Sequence, residues 1–315
     1  MEQSKYHLLE SARTMELIVH TRPRMSDDLN ARGVVLVTGA TGNVGREVVR
    51  ALVARGMCVR AATRGLAKTT EGSAGVATVR LDFADPTTFD AVDGVRAVFL
   101  VRPPAISDTK HTLVPFIDEA RRRGVEQVVF LSVAGAAHNI LVPHHAVERH
   151  LAPTRGWTIL RPGFFAQNLE DAYRRDIIED ARIYVPAGRG RVAFVDVRDI
   201  AELAATVFES AGRHDRQAYT LTGSEAIGFT ETAAHLSEAI GRVIRYQPAS
   251  IVGYLAHLRQ RGAPWAQAGV QAVLHAGLRF GQGERVNPTL ARLLGRPPRT
   301  MRQYVQDRRA VWLPS

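Results

Sequence analysis

Apolar residues follow two different spacings along this 315-residue chain. Short continuous apolar runs, such as residues 34–37, are typical of strands that are buried on both faces of a parallel sheet. Between these runs, apolar residues recur every three or four positions, which is the period of a helix that packs by one face. The alternation of the two patterns predicts an α/β fold with a doubly wound parallel sheet. Strands are predicted at 34–37, 58–63, 76–81, 97–101, 127–132, 157–160 and 192–195, and helices at 46–55, 112–123 and 144–151.

Three glycines follow the first predicted strand and lead directly into the first helix. Gly39, Gly42 and Gly45 have the spacing GxxGxxG. Glycines allow a sharp turn and a close approach to a ligand, and the free N–H groups at a helix N-terminus favour a phosphate. The order of strand, glycine turn and helix is that of a dinucleotide-binding Rossmann unit, although a glycine turn that binds nothing is the alternative. The residues expected to contact the pyrophosphate are Gly39, Thr41, Gly42, Asn43, Val44 and Gly45.

The end of the second predicted strand indicates which dinucleotide binds. Residues 61–68 contain Arg64 and Lys68 but no acidic residue. A carboxylate here suits the ribose hydroxyls of NAD, whereas an arginine suits the 2′-phosphate of NADP(H). We therefore expect NADP(H). After the third strand, Asp82 and Phe83 are candidates for the adenine, and the alternative is that Asp82 only begins a turn.

Further candidate residues follow the next two predicted strands. Val101 and Arg102 precede two prolines that stiffen the loop, on the edge of the sheet where ligands bind. Ser132 ends the fifth strand and is expected beside the nicotinamide. His144 and Glu148 lie four residues apart on one helix face, which suggests a proton donor or substrate hydrogen-bonder supported by a carboxylate. A surface pair is the alternative, and no metal is expected because a further ligand set is missing.

The pattern changes near residue 223, after which helices dominate. Helical spacing is found at 229–240, 252–281 and 297–312, and we expect the last of these to dock on the core. The predicted organisation is a poorly ordered N-terminal extension, an NADP-binding Rossmann domain, and a smaller, mostly helical, discontinuous lobe for a substrate or partner. The extension is residues 1–30, and the Rossmann domain is residues 33–165 with 191–222. The lobe is residues 166–190 with 223–315.

Composition narrows the class of partner. The net charge is +10, from 41 Lys and Arg against 31 Asp and Glu, but no basic run is interleaved with aromatic residues, so we do not expect nucleic-acid binding. No apolar run approaches the roughly 18 residues of a membrane span, and the first thirty residues lack a secretory signal. The single cysteine, Cys58, fits a reducing compartment, so we expect a cytoplasmic protein. A small-molecule substrate is expected, and a homodimer is left open.

Four segments together resemble the NmrA-like family of atypical short-chain dehydrogenase/reductases. These segments are residues 38–45, 63–64, 131–135 and 160–168. The resemblance covers residues 33–312 and implies a Rossmann fold with NADP(H) in its cleft. It also implies that a loop around Pro162, Gly163 and Phe164 lies near the nicotinamide.

The chain departs from typical short-chain dehydrogenases at the catalytic pair. Those enzymes use Tyr-x-x-x-Lys, in which the tyrosine protonates a carbonyl. Here His144 and Glu148 stand at the matching place, and no tyrosine occurs between Lys68 and Tyr173. Some members of the family reduce quinones or imines and others only sense the NADP(H) redox state. We therefore expect an NADPH-dependent reductase of a quinone, imine, iminium or enone, with a non-catalytic NADP(H) sensor as the alternative.

Overall fold

The computed structural model describes residues 33–65 and 76–313. The predicted N-terminal extension, 1–30, and the candidate Lys68 lie outside the described residues. Among the helices that are described, none is both long and apolar enough to cross a membrane.

Eleven strands are found in the described part of the chain, seven of them in one sheet. Their bounds are β1 (Val34–Val37), β2 (Cys58–Thr63), β3 (Val76–Arg80), β4 (Val95–Val101), β5 (Gln127–Leu131), β6 (Trp157–Pro162), β7 (Arg182–Val185), β8 (Arg191–Val192), β9 (Gln217–Leu221), β10 (Ile227–Gly228) and β11 (Arg245–Pro248).

The central sheet is parallel throughout and has the order β3-β2-β1-β4-β5-β6-β9. This confirms the predicted doubly wound α/β fold. The chain builds the sheet in one direction from β1 to β3 and in the other from β4 to β9, so the order reverses between β1 and β4. In sheets of this kind, ligands bind outside the carboxyl ends of the strands at this reversal.

Eleven α-helices accompany the strands within the described residues. They are α1 (Asn43–Ala54), α2 (Leu113–Arg122), α3 (Pro143–Leu151), α4 (Arg174–Asp180), α5 (Val197–Glu209), α6 (Ala211–His214), α7 (Phe229–Ile240), α8 (Ile251–Gln260), α9 (Trp265–Leu278), α10 (Thr289–Leu294) and α11 (Met301–Arg308).

The stretch of helical spacing at 252–281 is found as two helices, α8 and α9, because Gly262 adopts a φ of +90° and Pro264 follows it. One predicted strand differs from that observed. The strand predicted over 192–195 is limited to β8, and Val195 instead forms an isolated parallel bridge with Phe165. Helix α5 and strands β7 and β9 were not among the predicted elements.

Alternate residues of β1 face different sides of the sheet, which is what places a core on each side. Val35 and Val37 pack into a cluster with α1 and α5, whereas Leu36 packs into a cluster with α2. A third cluster joins residues from α4, α7, α8, α9 and α11. Leu290 of α10 belongs to the cluster of the sheet rather than to the third one. The division into a nucleotide-binding domain and a lobe remains a prediction.

The C-terminal helix docks on the third cluster, as predicted. Met301, Tyr304 and Val305 are buried, and so is Trp312 just beyond the helix. The Trp312 indole N–H donates to the Leu169 carbonyl at 3.0 Å. The end of the described chain is therefore fixed to the segment that follows β6.

Candidate functional site

The glycine loop at the carboxyl end of β1 is closed too tightly to admit side chains. Gly39 has a φ of +62°, which favours glycine. A Cβ on Gly45 would lie 2.2 Å from the Gly39 carbonyl oxygen, and one on Gly42 would lie 3.3 Å from it. The first helical hydrogen bond of α1 runs from the Arg46 N–H to the Gly42 carbonyl at 3.0 Å. The N–H groups at positions 43–45 therefore precede the first helical hydrogen bond, and such groups at a helix N-terminus bind an anion well.

The remaining candidates on this loop differ in their surroundings. Thr41 is exposed, whereas Val44 is buried against the sheet. The Asn43 amide donates to the Asp171 carboxylate, a contact that no sequence pattern indicated. Burial raises the pKa of Asp171, and the hydrogen bond from Asn43 opposes that rise. This contact connects the N-terminus of α1 to the segment that follows β6.

The adenine-end candidates occupy three different environments. Arg64 is exposed just after β2, as binding of a 2′-phosphate requires. The Asp82 carboxylate accepts the Ala84 N–H at 3.0 Å and therefore begins a turn. The Phe83 ring is buried and packs edge-on against Phe116, with 5.1 Å between ring centroids. Only Arg64 of these three side chains is exposed.

Ser132 and Glu148 come together with an arginine that the sequence reasoning did not select. The Ser132 hydroxyl donates to Glu148 Oε1 at 2.5 Å. Arg161, the penultimate residue of β6, donates to the same carboxylate from Nε at 3.0 Å and from Nη2 at 2.7 Å. The side chain of Glu148 is 6% exposed and that of Arg161 22%. Arg161 and Glu148 thus form an ion pair with two hydrogen bonds, and the Ser132 hydroxyl donates a third hydrogen bond to the same carboxylate.

His144 has a different partner, the candidate Arg102. The Nε of Arg102 donates to His144 Nε2 at 3.3 Å, and its Nη1 donates to the carbonyls of Pro103 at 3.0 Å and Pro104 at 3.2 Å. Burial, with a smaller contribution from Arg102, lowers the pKa of His144 to about 4, against a weaker opposing effect of Glu148. The imidazole is therefore neutral at neutral pH.

Val101 and the loop after β6 complete the carboxyl edge. A Cβ on Gly39 would lie 3.5 Å from Val101 Cβ, so the glycine loop lies beside the end of β4. Pro162 ends β6, and the Gly163 N–H donates to the Leu221 carbonyl at 2.9 Å. The half-buried Phe164 ring meets His275 edge-on, at 5.7 Å between centroids.

His275 connects the Phe164 loop to the third core cluster. Its Nδ1 lies 2.7 Å from the Gln271 carbonyl, which only accepts, so Nδ1 carries the proton. Its Nε2 then accepts the hydroxyl proton of the buried Tyr173. Burial lowers the pKa of His275, consistent with a neutral ring.

Two residues of this region, Arg161 and His275, were missed as functional candidates. The one charged residue of the largely apolar strand β6 was the available signal for Arg161, since a buried charge needs a partner. No local pattern singles out His275. Within the residues that the structure describes, no group of His, Cys, Asp and Glu is arranged to hold a metal ion.

A cavity of about 570 Å³ lies at the opposite edge of the sheet, near the amino ends of β1, β4, β5 and β6. Met57, Trp157 and Phe208 line it, and the Arg96–Glu126 ion pair, 2.9 Å between Nε and Oε2, stands at its border. A cavity of about 10 Å³ lies beside the start of α1, lined among others by Asn43 and Arg46. The position of the larger cavity separates it from the carboxyl edge, where the glycine loop and Ser132 lie.

Comparison with known proteins identifies the family. Residues 31–268 match the model of the NmrA-like family. The chain belongs to this family. It is 33% identical over 289 residues to the NAD(P)H azoreductase of Xenophilus azovorans, which covers 89% of this chain and 99% of that protein.

Two solved structures of family relatives contain a bound cofactor. The NADPH-dependent quinone oxidoreductase of Escherichia coli, complexed with NADPH, has a TM-score of 0.76 and 26% identity. The triphenylmethane reductase of Citrobacter sp., complexed with NADP(H), has a TM-score of 0.75 and 25% identity. Each comparison covers 87% of this chain and 99% of the other.

Proposed function

We propose that this chain is an NADP(H)-dependent reductase that delivers a hydride to a small activated acceptor: a quinone, an imine or iminium ion, or an enone. The named activities of its relatives support this proposal, because azo compounds, quinones and triphenylmethane dyes are all electron-poor conjugated acceptors. Such acceptors take a hydride without a strong acid beside them. The absence of a Tyr-x-x-x-Lys pair is therefore compatible with catalysis.

The observation that carries the proposal is the position of the glycine loop. It leads into α1 at the reversal between β1 and β4, and its Gly45 packs directly on the Gly39 carbonyl. In this position the helix N-terminus would hold a pyrophosphate, and the exposed Arg64 would pair with a 2′-phosphate. The residues present therefore fit NADP(H).

The nicotinamide would lie between the carboxyl ends of β5 and β6, near Ser132, Pro162, Gly163 and Phe164. When bound, NADPH supplies the hydride. The protein then contributes position and electrostatics rather than acid chemistry, because the Ser132 hydroxyl already donates its hydrogen bond to Glu148. Helices α7, α8 and α9 belong to the region that we propose as the lobe for substrate or partner.

A panel of acceptors tests this function. We expect NADPH to be oxidised with at least one quinone, iminium or enone, and much more slowly with unactivated aldehydes, since these need general-acid assistance. Reaction is followed as loss of NADPH together with product analysis. Tight NADPH binding without turnover of any acceptor would instead support the sensor alternative.

Arg64→Ala tests the choice of cofactor. Removing one charge-assisted contact to the 2′-phosphate is expected to weaken NADPH binding roughly 10- to 100-fold and NADH binding less than about threefold. Dissociation constants for the two nucleotides provide the measurement. Arg175→Ala, at an exposed ion pair on α4, is the control and should change neither constant. Equal losses for NADPH and NADH in Arg64→Ala would refute the assignment.

A further inference from the structure

His144 carries a buried ring nitrogen without a hydrogen-bond partner. The residue is 8% exposed, and its Nδ1 has no partner among the described residues. A buried polar group without a hydrogen-bond partner destabilises the folded state, so such atoms are rare in folded proteins. His144 is the second residue of α3 and lies beside the loop after β4, at the same edge of the sheet as Ser132.

The partner of His144 Nε2 shows which of the two ring nitrogens carries the hydrogen. A guanidinium has only donors, so the Arg102 Nε–H that points at His144 Nε2 requires Nε2 to accept. Although burial lowers the pKa of Arg102, a guanidinium stays protonated in proteins. Because the ring is neutral, its single hydrogen is on Nδ1.

Nearby groups leave this donor unused. Glu148, one helical turn away, accepts from Ser132 and Arg161 and makes no hydrogen bond to His144. On its flank the imidazole meets the Phe130 ring, at 5.9 Å between centroids, which offers no conventional acceptor. The Nδ1–H is therefore an enclosed donor with no acceptor within the described protein, on a side chain at the carboxyl edge of the sheet. A substrate oxygen reaches it when the side chains that cover it move apart.

We propose that the Nδ1–H of His144 donates a hydrogen bond to an oxygen of the acceptor substrate, and that Arg102 is the positioning residue that fixes this tautomer. The proposal rests on the proposed reductase function. A quinone or enone that receives a hydride holds negative charge on its oxygen until it takes one proton from solvent, while NADPH becomes NADP⁺. A donor that Arg102 holds in one tautomer stabilises that charge more than the neutral ground state.

The proposal narrows the substrate class. An iminium nitrogen has no lone pair before reduction and gains only a neutral amine lone pair on reduction, without negative charge, so a donor stabilises its transition state much less. Quinones and enones gain a hydrogen bond that strengthens as charge develops. The site is therefore built for oxygen acceptors in preference to iminium ions.

Two nearly isosteric substitutions test the donor atom. The amide nitrogen of asparagine falls near Nδ1 of histidine, and that of glutamine falls near Nε2. We expect His144→Asn to retain kcat with a quinone within roughly fivefold, and His144→Gln and His144→Leu to lose about 10²-fold, the usual effect of one such donor. Reduction of an iminium ion should change less than about threefold. His150→Gln, at a surface histidine on the same helix, is the control.

Two results with these variants would contradict the proposed role of Nδ1. Equal losses in the asparagine and glutamine variants would overturn the assignment of Nδ1. A loss of NADPH affinity of the same size as the loss of kcat would also overturn it, because the donor would then bind the cofactor instead.

The tautomer can be measured without turnover. Long-range ¹⁵N–¹H correlation of the full chain, with His144 identified from its absence in His144→Asn, should show the hydrogen on Nδ1. Arg102→Met should produce a mixture of tautomers, and Arg102→Lys, which keeps a donor, should restore Nδ1–H. A hydrogen on Nε2 in the wild type would contradict the inference. If the wild type turned over no acceptor, the reductase function would fail while this measurement still decided the tautomer.

Discussion

Replacing Arg161 by methionine is expected to lower the free energy of unfolding by about 3–5 kcal/mol. The reason is the partner that remains: the side chain of Glu148 is 6% exposed, and without the guanidinium its carboxylate is a buried charge with only the Ser132 hydroxyl attached. Methionine fills a similar volume, so little of the loss comes from a cavity. Urea denaturation, with an unchanged slope, provides the measurement.

The double variant Glu148→Gln with Arg161→Met shows how much of the stability loss comes from the unpaired charge and how much from altered packing. It should recover much of the loss, because replacing both members of a buried ion pair costs far less than removing one. Arg175→Ala, whose ion pair with Glu179 is exposed, should change the stability by less than about 0.5 kcal/mol. If the single variant were as stable as this control, the ion pair would have no structural role.

Replacing Gly45 by alanine is expected to abolish tight NADPH binding, with a loss of about 100-fold or more, and to cost about 1–3 kcal/mol of stability. The added Cβ would lie 2.2 Å from the Gly39 oxygen and 2.7 Å from its carbonyl carbon. Both are backbone atoms, so relief requires moving the glycine turn away from α1. That movement displaces the N–H groups that would face the pyrophosphate.

A helical glycine elsewhere in the chain gives the matched control. Gly269 lies in α9, and a Cβ there would meet no atom within 4 Å. Gly269→Ala should leave NADPH affinity unchanged and raise stability by up to about 1 kcal/mol, through helix propensity. Titration calorimetry and denaturation of both variants provide the comparison. Normal NADPH affinity in Gly45→Ala would mean that the cofactor does not depend on this turn.

The features predicted successfully from sequence are those that local pattern controls. The apolar run 34–37 is bounded by glycines, so the strand, the turn and the start of α1 follow from three adjacent signals. The helical spacing at 252–281 correctly indicated helix, but the break within this stretch was not predicted. Its apolar spacing continues across residues 262–264, where the backbone conformation of Gly262 and the ring of Pro264 end one helix and begin another.

Partners within the site were harder to predict because they come from distant parts of the chain. Spacing on α3 places His144 and Glu148 on one face, which suggested that the carboxylate supports the imidazole. In the structure Glu148 instead pairs with Arg161, 13 residues later, and with Ser132, 16 residues earlier. These contacts arise only when β5, β6 and α3 are brought together in three dimensions. Helical periodicity contains no information about them.

Transfer of deuterium from C4 of labelled NADPH to an enone tests the central claim most directly. An enone is suitable because the hydride forms a carbon–hydrogen bond that does not exchange with water. The reductase function predicts one deuterium in the reduced product, one NADP⁺ formed per product, and slower transfer from the labelled than from the unlabelled cofactor. Absence of labelled product from enones, and of NADPH oxidation by quinones, at protein concentrations that bind all the NADPH would contradict it.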